Sequence, residues 1–142
     1  MRRFLFVLSL AVAAQSSPSM AQSDCAAATR RWIENTVACA ALFSAYAPRV
    51  YLNPGQENRA EMLRSRAVTL LRAAQRSASE IGDDPNSIQP LHNRLVDGYL
   101  KDEASIPPTV QKLRGTCDSA LKNAQLSSAQ LQSLLCPSGG TK

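Results

Sequence analysis

The chain is most informative first for what it lacks. It has a single histidine, His92, a single tryptophan, Trp32, and no Cys-x-x-Cys pair. Without that pair there is no thioredoxin-like redox site, zinc ribbon or haem attachment site. No Gly-rich phosphate loop, His-Glu-x-x-His or Gly-x-Ser-x-Gly occurs, which excludes the nucleotide, metalloprotease and hydrolase chemistries those motifs carry. No segment alternates apolar and polar residues as a half-buried strand would, and no internal repeat is visible beyond helical periodicity. After residue 21 no apolar run is long enough to span a bilayer, which takes about 20 residues. No basic cluster interleaved with aromatics marks a nucleic-acid face.

What is present begins with the N-terminus. Met1-Arg2-Arg3 is followed by the apolar run Phe4–Ala14 and by small residues around Ala21. That order is the pattern of a secretory signal peptide over residues 1–21, cleaved after Ala21. Its removal takes Arg2 and Arg3, so the formal charge of +5 falls by two to +3. The remaining chain suits one domain, residues 22–136, with 137–142 (PSGGTK) as a flexible tail. Export to the periplasm or the medium places the four cysteines where disulfides persist. With only His92 to assist, a metal site is not expected, and no cofactor is implied.

The stretch Asp24–Ala47 organises the rest. Cys25, Trp32, Cys39 and Tyr46 recur every seven residues, with Thr36 and Phe43 between them, while Arg30, Arg31 and Glu34 turn the other way. This is a helix that aims both its cysteines at a core, and Pro48 should stop it near Ala47. Arg49–Asn53 then reads as a connection whose Val50, Tyr51 and Leu52 form a candidate contact patch. Over 56–82, Ala60, Leu63, Ala67, Leu70, Ala74 and Ile81 define a second amphipathic helix with a small-residue seam. Its five arginines (59, 64, 66, 72 and 76) point in several directions and form no single anion-binding stripe. Gly82 ends it.

Asp83 to Ser87 carries turn and capping residues. A calcium loop fails there because Ile88 and Gln89 stand where an EF-hand needs a ligand and a glycine. A third helix is predicted from Pro90, with Leu91, Leu95, Val96 and Tyr99 as its stripe and His92 inside it. It should stop before Ile106. A fourth begins at Pro108, carrying Val110, Leu113, Cys117, Ala120, Leu121 and Ala124. Ser127 and Gln130 form a capping box that opens a short fifth helix through Leu135.

These elements predict an all-α, four- to five-helix up-down bundle stapled by two disulfides. On one continuous helix Cys25 and Cys39 lie about 21 Å apart, too far to bond to each other. An up-down order sets the last helices antiparallel to the first. Cys25 should then meet Cys136, and Cys39 should meet Cys117. The alternative, Cys25 with Cys117 and Cys39 with Cys136, stays open at this level.

No catalytic set converges in the sequence. Ser119-x-x-Lys122 lacks the companion motifs of acyl-transfer enzymes, and the pairs Asp102/Glu103 and Glu57/Glu61 read as solvated carboxylates. The sequence therefore favours a non-catalytic protein-binding module of inhibitor, immunity or envelope-accessory type, acting on an unknown protein outside the cytoplasm. The alternative is a carrier holding a small apolar ligand between helices near Trp32, Phe43, Leu70 and His92.

Overall fold

A computed structural model describes residues 20–137, with side chains from residue 24 onward. Most of the expected signal segment and residues 138–142 of the expected tail lie outside the described residues. Five α-helices follow one another: α1 (Met20–Tyr51), α2 (Glu57–Glu80), α3 (Ile88–Lys101), α4 (Ile106–Ala124) and α5 (Ser128–Leu135). Short 3-10 turns at Pro85–Ser87 and Glu103–Ser105 lead into α3 and α4. The chain is an all-α bundle held by two disulfides.

The long first helix runs through the middle and packs on each of the others, most extensively on α2. Its 32 residues make it about 48 Å long. Of the expected stripe, Trp32, Thr36, Cys39 and Phe43 are buried and Cys25 and Tyr46 half-buried, but burial is broader than one stripe. Val37, Ala40, Ala41, Leu42, Ala45 and Ala47 are also enclosed, so this part of α1 is covered on several sides. Leu42 and Ala45 look toward Ile106, with Tyr99 and Val110 alongside. Trp32, Val37, Ala40 and Phe43 belong to the main core with Leu63, Leu70 and Leu131. Alanine dominates the α2 side of this core (Ala60, Ala67, Ala73, Ala74 and Ala78), which lets two helix backbones approach closely.

Pro48 does not end α1. The helix continues to Tyr51, and the Leu52 amide still donates to the Pro48 carbonyl at 3.3 Å. A proline near a helix C-terminus leaves only the carbonyl four residues back, that of Ser44, without its ladder partner, and the tertiary packing of Val50 outweighs that loss. The chain then turns at Gly55, whose φ of 77° is the left-handed conformation glycine adopts without strain. At the far end of α2, Gly82 (φ 78°) completes a Schellman stop: its amide donates to Ser79, and the Asp83 amide donates to Ala78 at 2.9 Å.

The α3 helix begins two residues before Pro90, because Asp84 caps the preceding 3-10 turn by accepting from the Asn86 amide at 2.9 Å. Likewise α4 begins at Ile106 rather than Pro108; Ile106 is fully buried and both prolines occupy its first turn, where no amide is required. Ser127 and Gln130 form the reciprocal capping box at the start of α5.

The disulfides follow the antiparallel arrangement. Cys25 bonds Cys136 and Cys39 bonds Cys117, with Cα separations of 5.1 and 5.4 Å. The break between Ala124 and Ser128 brings Cys136 back within reach of Cys25. The other pairing is thereby excluded.

Candidate functional site

The expected contact patch divides in two. Val50 follows Phe43 and Ala47 at helical spacing, so extending α1 past Pro48 turns it into the core, where it is 3% exposed. Buried there, it presents almost no surface to a partner. Tyr51 and Leu52 remain outside, at 53% and 81% exposure. Their backbone is held by the last turn of α1, and Asn53 closes the end by donating from its side chain to the Arg49 carbonyl at 3.1 Å. The Arg64 guanidinium stacks over the Tyr51 ring at 5.4 Å, which fixes one face of that ring. A cleft of about 400 Å³ adjoins the pair, lined by Tyr46, Arg49, Val50, Leu52, Asn53 and Pro107.

Around the corner, a larger cleft of about 550 Å³ opens between α1, α2 and α4, and Tyr46 and Pro107 line both. From α1 come Phe43 and Tyr46. From α2 come Arg59, Met62, Leu63 and Arg66, positions that share one helical face. From α4 come Pro107, Val110, Gln111, Arg114 and Asp118, again one face. The result is an apolar floor with three guanidiniums and one carboxylate around it. Along α2 alone the five arginines share no common stripe. The structure makes the cluster from two helices, since Arg59 and Arg66 of α2 line the same cleft as Arg114 of α4. Only their seven-residue spacing on α2 hinted at it.

His92 is buried on α3 and joins a polar cluster. Ser44 Oγ lies 3.1 Å from His92 Nε2, and Asn93 Oδ1 lies 3.2 Å from Nδ1. Gln89 Nε2 donates to the same Asn93 oxygen at 2.9 Å and also lies 3.4 Å from Nδ1, so the direction of the Ser44–His92 bond follows the tautomer of the ring. A serine hydroxyl thus stands beside a histidine, but the pair is set within helices. The amides around Ser44 are committed to the α1 ladder and offer no oxyanion donors, which acyl-transfer chemistry needs beside its nucleophile.

The remaining candidates do not converge. Trp32, Phe43 and Leu70 are packed in the main core, and His92 is buried with Ser44 as its partner. Ser119 and Lys122 are exposed on α4, and Asp102, Glu103, Glu57 and Glu61 are exposed carboxylates. Glu103 pairs with Arg49 at 3.3 Å and Glu61 with Arg64 at 3.2 Å. Asp83, in the rejected calcium loop, is engaged through both oxygens by Arg30 at 2.8 Å. That hydrogen-bonded guanidinium holds the Asp83 carboxyl below the usual carboxylate range, against a weaker opposing effect of burial. Burial pushes the Tyr99 phenol above its ordinary value. Among the described residues no group of three or more His, Cys, Asp or Glu side chains is placed to hold a metal ion, and no helix is long and apolar enough to cross a membrane.

No protein-family model, curated protein or solved structure matches this chain.

Proposed function

We propose that the mature chain is a non-catalytic protein-binding module acting outside the cytoplasm, in the periplasm or the medium, and that the Tyr51–Leu52 end is its contact surface. The observation that carries this reading is the neighbouring pair of large apolar side chains, 53% and 81% exposed, at a helix end tied by the Asn53–Arg49 hydrogen bond and by Arg64 over the Tyr51 ring. Their exposure is not needed to close the core, because Val50 beside them already does so. An anchor held still before binding loses little conformational entropy on association, which is what an inhibitor or accessory protein requires. The two disulfides fit an oxidising compartment and add to that rigidity.

The test is site-specific photocrosslinking in the native host, with the photoreactive residue at Leu52 and, as a control, at Arg31 on the exposed face of α1. A discrete protein adduct at Leu52 only, weakened when Tyr51→Ser is combined with the photoreactive residue, is the expected result. No adduct at Leu52, or equal adducts at both sites, overturns the assignment.

A further inference from the structure

We propose that the cleft between α1, α2 and α4 binds an anionic amphiphile, a small molecule with a carboxylate, sulfonate or phosphate head on an aromatic or alkyl body. This is a second site, independent of the protein contact proposed at the Tyr51–Leu52 end, although the two surfaces meet at Tyr46 and Pro107.

The argument starts from how the protein treats its arginines. At this end of the bundle Arg49 and Arg64 each have a carboxylate within ion-pair distance. Arg59, Arg66 and Arg114 do not: among the described residues none of the three is within ion-pair distance of an acidic group, although Asp118 lines the same cleft one turn beyond Arg114. Three like charges around one concavity repel each other and are relieved by an anion brought among them. Guanidinium groups are suited to that role because each offers a planar fork of donors to two oxygens.

The floor supplies the second half of the recognition. Phe43 and Leu63 reach it from the core, and Met62, 47% exposed, lies over it. Methionine is flexible and polarisable, and it moulds to apolar bodies of different shape. At about 550 Å³ the cleft falls in the range that small ligands occupy, roughly 300–1,000 Å³. Charge at the rim and apolar surface below define an amphiphile rather than a free inorganic anion. The two-helix origin of the rim makes the site depend on the fold: α4 is held against α1 by Cys39–Cys117, so Arg114 keeps its place opposite α2.

The experiment uses the oxidised, mature protein and two probes with closely related aromatic bodies: anilinonaphthalene sulfonate, which is anionic, and N-phenyl-naphthylamine, which is neutral. Saturable binding of the sulfonate, at least about tenfold tighter than of the neutral probe, is expected from charge-assisted hydrogen bonding. Combining Arg59→Gln, Arg66→Gln and Arg114→Gln should erase that preference. Combining Arg31→Gln, Arg72→Gln and Arg94→Gln, which removes the same charge from exposed positions outside the cleft, should keep it. Met62→Glu, at an exposed position where folding is not at stake, should weaken the sulfonate further. Circular dichroism confirms that each variant is folded. Equal loss in the two arginine triples would assign the effect to net charge and overturn the site. Equal affinity for the two probes, or no saturable sulfonate binding to the unaltered protein, would overturn it as well.

Discussion

Ser77 and Thr36 lie in the core with hydroxyls that have no hydrogen-bond partner among the described residues, and the Trp32 indole N–H is in the same position. A buried polar atom left unpaired costs about 1–3 kcal/mol. Ser77→Ala removes such an atom at a seam already built from alanine, so it should raise the unfolding free energy by about 1 kcal/mol in a urea titration. A loss of stability would show that the hydroxyl is paired after all. Ser44 and His92 present the opposite case. Their 3.1 Å contact joins α1 to α3, and truncating either partner strands the other in a partly buried site. A double-mutant cycle with Ser44→Ala and His92→Gln should give a coupling of about 1 kcal/mol. Strict additivity would remove the contact from the account of what docks α3.

At the scale of the elements, α1 is secured to its neighbours by different means along its length. Near its start, Arg30 reaches the turn after α2 and grips Asp83 through two hydrogen bonds. The Asp83 carboxyl is thereby held below its ordinary range, so its folded-state pKa is lower than its unfolded one. Stability from this pair is present above the unfolded carboxylate pKa and is lost as pH falls through the lower folded value. Both side chains are well exposed, so the contribution is small. The melting temperature of Asp83→Asn should therefore fall slightly below that of the unaltered protein at neutral pH, and the difference should close in acid. A gap that persisted at a pH below the folded-state value would assign the loss to packing instead of charge. Further along, Pro48 shows how an element rule yields to context. A missing amide in the last turn removes one ladder bond, whereas stopping at Ala47 would leave Val50 outside the core it now closes.

The whole molecule rests on a core rich in alanine, which buries little apolar area per residue, and on two covalent ties that offset it. The bridges are nested, joining cysteines 111 and 78 positions apart in the chain. In the chain-entropy model either one alone is worth about 4–5 kcal/mol, and less once the other is formed. Replacing Cys39 and Cys117 together by alanine should cost about 3–4 kcal/mol in a denaturant titration. Full reduction should lower the melting temperature markedly, and an unchanged melt would refute the staple argument.

The sequence by itself determined the helical class, the helix order, the capping box at Ser127 and the impossibility of a Cys25–Cys39 bond, because periodicity and distance along a helix are local quantities. The choice between the two remaining pairings fell to the packing. Twenty-one ångströms between Cys25 and Cys39 forbids one bond wherever the helix lies, by the rise per residue alone. The tertiary structure decided what depends on competition between elements. Packing carried α1 through Pro48 and turned Val50 from surface to core, and cover from several helices widened the buried face of α1 beyond its heptad stripe. The arginine-rimmed cleft belongs to the same class. Arg59 and Arg66 stand on one helix and Arg114 on another, and no property of either segment states that they share a cavity. Only the packing of α4 beside α2 brings those charges together, because proximity across helices is set by the whole core and not by any one stretch of chain.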